Sequence, residues 1–358
     1  MEIVEPRTAT VAPAEEPKPA NGTVVLGLDI GGTQIRAAAI LSDGSRLGRR
    51  AFATPREAGR RGEGEIYSAC ERLLREVLAQ LPAPVRGGVV AVGISSAGPV
   101  DPWSGIVVDP PNLPALHGSP LAAEIEARLG LAAYLERDTN VAALAEHWLG
   151  AARGCADFLY VTVSTGLGGA IFRDGRLLLG PDGTAGELGH ITLVLEDGPE
   201  CACGGKGHLE AIASGSGLAR QAQAALTAGA SGFLSERGSR APLTGRDVAE
   251  GEEAGDAACA ALMERARRAF ALACVGWVNV FNPDRIVIGG MLAERQGERW
   301  LGPARAAVGS SAFDVPARRV RIVPAQLGED VGLVGAWPLV MGRHGNPAWR
   351  EARGPSGS

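Results

Sequence analysis

The sequence predicts an α/β fold of two lobes with a cleft between them, and two observations lead to this prediction. Short runs of β-branched residues and leucine alternate with longer helical patterns along the 358 residues. A strand, glycine turn and strand occur at 24–41 and again at 159–179. We interpret the two copies as a diverged duplication of one β-hairpin, one per lobe, with chance similarity of two glycine hairpins as the alternative.

The elements of the first half follow from apolar runs and their stop signals. Strands are predicted at 24–30, 35–41, 89–95 and 131–136, and a helix is predicted at 66–81. A second helix is predicted from about Thr139 to Ala151, and Asp138 precedes it as a candidate cap.

In the second half, the repeated hairpin turns at Gly166 and at Gly168-Gly169, and a strand is predicted at 285–290. Before that strand, apolar residues recur at three- and four-residue steps, which predicts a long helix facing the core. These residues are Leu262, Ala266, Phe270, Cys274, Trp277 and Phe281.

Residues 1–22 and 346–358 are predicted to be disordered tails, because neither stretch has strand or helix periodicity. Between them we expect a first lobe at 23–137 plus about 331–345 and a second lobe at 138–330. Six cysteines, no secretory leader and no apolar run near the roughly 20 residues of a membrane helix predict a cytoplasmic protein without membrane contact.

Charge and lysine content exclude several function classes. The net charge is −5 and no block of basic residues occurs, which argues against a nucleic-acid partner. Lys18 and Lys206 are the only lysines, and neither lies in a phosphate-loop, protein-kinase or Schiff-base context.

The two glycine turns are candidate phosphate sites. In the first, Asp29 can hold a hydrated Mg²⁺ while the backbone of Gly31 and Gly32 and the Thr33 hydroxyl approach phosphate oxygens. The second turn offers Ser164, Thr165, Gly166 and Gly168. Neither contains lysine, so neutralising phosphate charge would depend on Mg²⁺ and backbone dipoles. An ordinary hairpin turn is the alternative for either copy alone.

A cysteine and histidine cluster predicts a structural zinc site. Two thiolates and two imidazoles make a closed tetrahedral ligand set, which leaves no open position for hydrolytic chemistry. Free thiols with surface histidines are the alternative. The four candidate ligands are His190, Cys201, Cys203 and His208.

Carboxylates complete the set of candidate site residues. Asp138 falls where a strand meets a helix, the position of a helix cap and also of a general base that accepts a hydroxyl proton. Glu187 and Glu210 flank the cysteine and histidine cluster, and with Asn112 they form a ring of acceptors suited to a polyhydroxylated ligand.

These motifs, in this order, resemble the ROK family (repressors, open reading frames and sugar kinases) from about residue 24 to 340. The matching stretches are Asp29-Ile30-Gly31-Gly32-Thr33, Ala97-Gly98-Pro99-Val100-Asp101, Asn112-Leu113-Pro114, Asp138-Thr139-Asn140, Ser164-Thr165-Gly166-Leu167-Gly168, Ala185-Gly186-Glu187-Leu188-Gly189-His190, Cys201 to Glu210, and Asn282-Pro283-Asp284 with Gly289-Gly290.

The resemblance implies an actin-like ATPase (ribonuclease H-like) fold that binds ATP and Mg²⁺ in the cleft. It implies transfer of the γ-phosphoryl to a sugar hydroxyl, most often glucose to glucose 6-phosphate, by a homodimer or homotetramer. Asp138 is then the catalytic base, the two turns bind phosphate and Gly289 and Gly290 lie near the adenosine. The implied sugar-binding residues are Asn112, Asp138, Glu187, His190 and Glu210, with His190 also on zinc.

Four departures from the family pattern bear on these expectations. Gln34 stands where lysine is frequent, Arg137 where asparagine usually precedes the aspartate, and His208 where a third cysteine is usual. The stretch 115–117 lacks the Gly-Trp pair common in glucokinases, which leaves the sugar open.

Alternatives to a glucokinase are therefore a kinase for another hexose, an N-acetylhexosamine or a sugar-like cyclitol. A sugar-responsive regulator of the same family is less favoured. Such regulators carry a helix-turn-helix of some tens of residues, whereas about 22 proline-rich residues precede the first predicted strand.

Overall fold

The computed structural model describes residues 22–55, 59–346 and 349. The first lobe is built on a five-stranded sheet of order β3-β2-β1-β4-β7, in which β1 pairs antiparallel with β2 and parallel with β4. Its strands are β1 (Val24–Ile30), β2 (Gln34–Leu41), β3 (Arg46–Ala53), β4 (Val89–Ser96) and β7 (Ala132–Arg137), beside a small hairpin of β5 (Val100–Asp101) and β6 (Ile106–Val107). Its helices are α1 (Gly59–Gln80), α2 (Ala83–Gly87) and α3 (Leu121–Leu129).

The second lobe repeats this arrangement. Its five-stranded sheet has the order β10-β9-β8-β11-β12, with β8 antiparallel to β9 and parallel to β11. The strands are β8 (Phe158–Val163), β9 (Leu167–Arg173), β10 (Arg176–Leu177), β11 (Arg285–Gly289) and β12 (Arg321–Pro324). The helices are α5 (Leu209–Ala213), α6 (Gly215–Thr227), α7 (Phe233–Gly238), α8 (Gly245–Glu253), α9 (Ala257–Phe281), α10 (Met291–Gln296), α11 (Glu298–Ser311) and α12 (Asp314–Arg319).

Three helices lie between the sheets: α4 (Asp138–Leu149), α13 (Val331–Val334) and α14 (Ala336–Arg343). Helix α4 packs on β8 and β9 of the second sheet and on α13 and α14, which in turn pack on β1 of the first sheet. The chain therefore returns to the first lobe at its C-terminal end. Two sheets of the same strand order, with helices between them, form the predicted two-lobed α/β architecture.

Glu146 of α4 joins the segment after α4 to the segment after β12. This fully buried carboxylate accepts the backbone N–H of Ala151 at 2.6 Å, between α4 and β8. It also accepts those of Gln326 and Leu327 at 2.9 and 3.0 Å, after β12. A buried carboxylate needs such donors, because an unpaired buried charge is strongly unfavourable.

The predicted elements are present, with corrections at their ends. Helix α1 begins at Gly59 instead of residue 66, and α4 runs from Asp138 to Leu149 instead of 139–151. The capping prediction for Asp138 is wrong: Arg137 holds the N-cap position, and Asp138 Oδ1 accepts the N–H of the next residue, Thr139, at 2.7 Å. A capping side chain would reach two or three residues ahead.

The long helix is confirmed as α9, where four of the six periodic apolar residues are buried and the outer two are half-buried. The predicted tails lie almost wholly outside the described residues. Within 346–358, Trp349 stacks on Trp103 with ring centroids 6.1 Å apart. Among the described residues, no helix has both the length and the apolar character needed to cross a membrane.

Candidate active site

The candidate site residues lie at the carboxyl ends of parallel strands. Asp29 lies near the end of β1, Asp138 directly follows β7, and the turn at 164–166 follows β8. Gly289 ends β11, the neighbour of β8, and Gly290 follows it. In α/β proteins, ligands bind outside the carboxyl ends of parallel strands. Asp29, Asp138, the second turn and Gly289-Gly290 thus lie at strand ends, where a ligand site is expected.

The first glycine turn contacts the Asn112 loop. The Gly31 N–H donates to the Gln34 carbonyl at 3.0 Å, and the Thr54 hydroxyl donates to the Gly31 carbonyl at 2.6 Å. A Cβ at Gly32 would lie 2.9 Å from the Asn112 carbonyl oxygen. Glycine is therefore required at position 32 for the two loops to approach, and Thr33 beside it is exposed.

Asp29 is almost fully buried beneath this turn, at 7% exposure. Arg36 donates to its Oδ2 from Nη2 at 2.5 Å and from Nε at 3.1 Å. Gly332 of α13 packs against the same carboxylate, because a Cβ there would lie 2.7 Å from Oδ1. The C-terminal helices thus close one side of the Asp29 site.

The second glycine turn is joined to the start of α6. The Ser164 N–H donates to the Gly166 carbonyl at 2.9 Å, and the N–H groups of Gly215 and Ser216 donate to the Ser164 and Thr165 carbonyls at 2.8 and 2.9 Å. Residues 214–216 were not predicted as neighbours of this turn. The available signal was the Ser-Gly-Ser-Gly run, in which the Ser214 side chain caps α6 by accepting the N–H of Gly217.

Gly290 makes a close approach at the end of the second sheet. Its φ is +92°, and a Cβ would lie 2.6 Å from both Thr162 Oγ1 and the Val163 nitrogen. Only glycine combines this backbone conformation with this proximity. Gly290 therefore brings the start of α10 directly against the strand that leads into the second turn.

Asp138 lies where the two lobes meet. A Cβ at Gly168 of β9 would lie 3.0 Å from Cγ2 of Thr139, so the start of α4 contacts the second turn. Asp138 is exposed to solvent, but neighbouring protein atoms displace part of the hydration of its carboxylate. This partial desolvation raises the pKa of Asp138 to about 6, and the Asp29 and Glu187 carboxylates act in the same direction.

Two neighbouring groups in the same segment of the chain lower the pKa of Asp138. The Thr139 N–H and the Arg137 guanidinium both lower the pKa of the carboxyl, but desolvation outweighs them. A carboxylate with a raised pKa at the contact between two lobes is a candidate catalytic group.

Arg137 reaches from the first lobe into the second. Its buried guanidinium donates to one Glu187 oxygen, to the Gly169 carbonyl at 3.0 Å, to the Ala185 carbonyl at 2.7 Å and to Asn140 Oδ1 at 3.3 Å. From the sequence, Arg137 was expected only as a departure from a family pattern, and no role was predicted for it.

Glu210 connects the second turn to the cysteine and histidine cluster. Its Oε2 accepts the Leu167 N–H at 2.9 Å, and its Oε1 lies 3.5 Å from the Cys201 sulfur. Asn112 lies in the first lobe, beside Gly32, whereas Glu187, His190 and Glu210 belong to the second. The predicted ring of acceptors is thus divided between the lobes.

The structure brings His190, Cys201, Cys203 and His208 together. Their candidate ligand atoms all lie within 4.8 Å of one another. The Nδ1 atoms of the two histidines are 3.4 Å apart, and each is 3.3–3.7 Å from a cysteine sulfur. Zinc bond lengths to nitrogen and sulfur give tetrahedral ligand spacings of about 3.3–3.8 Å. The four side chains could therefore hold one tetrahedral metal ion.

Fold and site together define a two-lobed ATPase-fold protein with a glycine turn in each lobe and Asp138 where the lobes meet. The chain belongs to the ROK family, whose sequence model matches residues 25–343. The fold is the predicted actin-like one, as its similarity to solved ROK kinases shows.

Relatives match nearly the whole length of this chain. It is 34% identical to a glucokinase of Thermotoga maritima, over 90% of this chain and 98% of the relative. It is 33% identical to an N-acetylmannosamine kinase of Escherichia fergusonii, over 88% and 98%. A solved ROK family glucokinase from Streptomyces griseus, in complex with glucose and AMPPNP, is 32% identical with a TM-score of 0.71, over 87% and 97%.

Proposed function

We propose that this protein transfers the γ-phosphoryl of ATP to a hydroxyl of a hexose, with glucose as the acceptor and glucose 6-phosphate as the product. It is a sugar kinase of the ROK family. The observation that carries the proposal is the position of Asp138, at the junction of the lobes and beside the second glycine turn.

Asp138 is the proposed catalytic base. It would accept the proton of the sugar hydroxyl while that oxygen forms its bond to the γ-phosphorus. The bond from phosphorus to the bridging oxygen breaks, and ADP leaves with the electron pair. A pKa of about 6 keeps Asp138 ionised at neutral pH yet makes it a stronger base than an ordinary aspartate.

The glycine turns are the proposed phosphate sites. Backbone groups of Gly31, Gly32 and the 164–168 turn, with the Thr33 hydroxyl, would bind phosphate oxygens, while Gly289 and Gly290 would lie near the adenosine. The Thr139 hydroxyl is buried and has no hydrogen-bond partner among the described residues, which fits a polar ligand at this place. Mg²⁺, held through water by Asp29, would supply charge neutralisation for the transferring phosphoryl group.

Sugar hydroxyls would bind to the acceptors around Asp138: Asn112 from the first lobe, and Glu187, His190 and Glu210 from the second. Zinc on His190, Cys201, Cys203 and His208 would hold the loop that carries these residues, and the tetrahedral spacing of the ligand atoms supports this assignment. We assign the lobes to 23–137 plus about 331–345 and to 138–330, and we propose a homodimer or homotetramer.

A second candidate acceptor is an N-acetylhexosamine, because N-acetylmannosamine kinases are nearly as similar to this chain as the glucokinases are. A coupled assay of ADP release across glucose, mannose, fructose, N-acetylglucosamine, N-acetylmannosamine and a cyclitol decides between them. We expect the largest kcat/KM with glucose. A larger kcat/KM with N-acetylmannosamine would identify an N-acetylhexosamine as the acceptor. No turnover with any acceptor would overturn the proposed function.

A further inference from the structure

We infer that Arg137 is a positioning residue for sugar binding, which fixes the Glu187 carboxylate so that its second oxygen faces the sugar hydroxyls. The inference rests on the proposed function and adds a residue to it. Glu187 has a side chain 40% exposed, whereas that of Arg137 is 5% exposed. One oxygen of Glu187 is bound by Arg137, and the other lies 3.7 Å from His190 Nε2.

The guanidinium of Arg137 is anchored independently of Glu187. Two backbone carbonyls, those of Gly169 and Ala185, and the Asn140 side chain accept its N–H groups at 2.7–3.3 Å. A guanidinium presents its donors in a rigid planar fork. All three acceptors lie around the same nitrogen, Nη2, and hold the plane of the guanidinium. Nη1, which donates to Glu187, therefore has a set direction, and Glu187 is oriented by a preformed partner.

Glycines provide the space through which this side chain passes. A Cβ at Gly98 would lie 3.0 Å from both Cγ and Cδ of Arg137, and a Cβ at Gly186, where φ is +93°, would lie 3.1 Å from its Nη2. Larger residues at either position would displace the arginine. The buried arginine is thus enclosed by two glycines and held by two backbone carbonyls and a side-chain amide.

The direction of this contact links the two halves of the site. Arg137 ends β7 in the first lobe and immediately precedes Asp138, whereas Gly169, Ala185 and Glu187 belong to the second lobe. A single side chain therefore connects the residue next to the proposed base with a proposed sugar acceptor. Its positive charge also offsets the repulsion of Glu187 by the neighbouring Asp138 carboxylate.

A purely structural role would have a different signature. An arginine that only joined the lobes would affect the stability of the protein and leave the affinity for sugar unchanged once the protein is folded. A positioning residue acts through Glu187, so its removal raises the KM for sugar more than it lowers kcat. Its effect also overlaps with that of removing Glu187, because coupled residues are not additive.

The test compares Arg137→Gln, Arg137→Lys, Glu187→Gln and the double variant Arg137→Gln/Glu187→Gln. Arg267→Gln is the matched control: Arg267 is equally buried and pairs with buried Glu252 at 2.6 Å, but in the α8–α9 contact of the second lobe. Sugar KM and kcat come from the ADP-release assay, sugar Kd from calorimetry and Tm from thermal unfolding.

We expect Arg137→Gln to raise the KM and Kd for sugar about tenfold or more. Arg137→Lys should restore part of the lost sugar affinity. The double variant should bind sugar no more weakly than whichever single variant binds it more weakly. Arg267→Gln should lower Tm alone. If Arg137→Gln does not fold, the sugar Kd values of Arg137→Lys and Glu187→Gln test the inference. An unchanged sugar Kd in the folded Arg137 variants overturns the inference about Arg137 and leaves the proposed function standing. Wild-type protein that neither binds nor phosphorylates any hexose overturns the proposed function with it.

Discussion

The backbone N–H of Leu167 donates to Oε2 of Glu210 over 2.9 Å. This bond joins the second glycine turn to the loop that carries the cysteine and histidine cluster, because Oε1 of the same carboxylate lies 3.5 Å from the Cys201 sulfur. The proposed phosphate, sugar and metal sites thus share one side chain. A change in the metal loop is therefore expected to reach the phosphate turn.

Removal of the metal tests this connection. We expect purified protein to contain one zinc per chain, and Cys201→Ser to lose the metal, lower Tm and raise the KM for both ATP and sugar, because the loop would no longer hold Glu210. Metal analysis with steady-state kinetics measures this. Lys206→Ala is the control, since Lys206 lies in the same loop with a side chain 69% exposed. Wild-type protein clearly below stoichiometric zinc would contradict the metal assignment.

Substitution of the proposed base gives opposite effects on rate and stability. Asp138→Asn should lower kcat roughly 10²–10⁴-fold, the usual contribution of general base catalysis. Since folding raises the pKa of Asp138, the folded protein holds this proton more tightly than the unfolded chain. Ionisation at pH above that pKa therefore opposes folding, and Tm of Asp138→Asn at about pH 8 should equal or exceed the wild-type Tm. A full-rate variant would remove Asp138 from the mechanism.

The pH dependence of the reaction follows from the same group. Asp138 must be deprotonated to accept a proton, so kcat/KM should fall with a slope of one as the pH decreases through about 6. An unperturbed aspartate would place this limb near pH 4. Rates measured in overlapping buffers of constant ionic strength, with the coupling enzymes in excess, locate the limb. A rate that stays level down to about pH 4.5 would argue against an elevated pKa.

Stability at the junction of the lobes should depend on Glu146. Its fully buried carboxylate accepts backbone N–H groups from the segment after α4 and from the segment after β12. Glu146→Ala leaves three donors without an acceptor, so we expect a loss of about 3 kcal/mol in the free energy of unfolding. Glu298→Ala, which removes an exposed carboxylate paired with Arg305, should cost less than about 1 kcal/mol. Equal losses in denaturant titrations would contradict the role of Glu146.

Local patterns in the sequence explain which parts of the structure could be predicted. The strand predicted at 24–30 is β1, because an apolar β-branched run ends there at two glycines. The cysteine and histidine cluster was predictable because its four residues lie within the short stretch 190–208 of the sequence. The early start of α1 was missed, since its first turns contain Gly59 and Gly64, which disfavour a helix.

The contacts that sequence reasoning missed join residues far apart in the chain. Arg137 and Glu187 are separated by 50 positions, and Glu146 and Gln326 by 180. No periodicity signals which distant acceptor a buried arginine or glutamate will meet. The wrong capping prediction for Asp138 has a similar origin. An aspartate between a strand and a helix can cap the helix or present an exposed carboxylate, and which of the two occurs depends on how the lobes meet.

The central claim is phosphoryl transfer from ATP to a sugar hydroxyl. The most direct test is phosphorus NMR of the complete protein incubated with MgATP and glucose, with the Asp138→Asn variant as the control. We predict that the γ-phosphate signal is replaced by ADP and by a sugar phosphate monoester in equal amounts, and that the variant forms neither at a comparable rate. Release of inorganic phosphate without a sugar phosphate, or no loss of ATP with any sugar, would contradict the assignment.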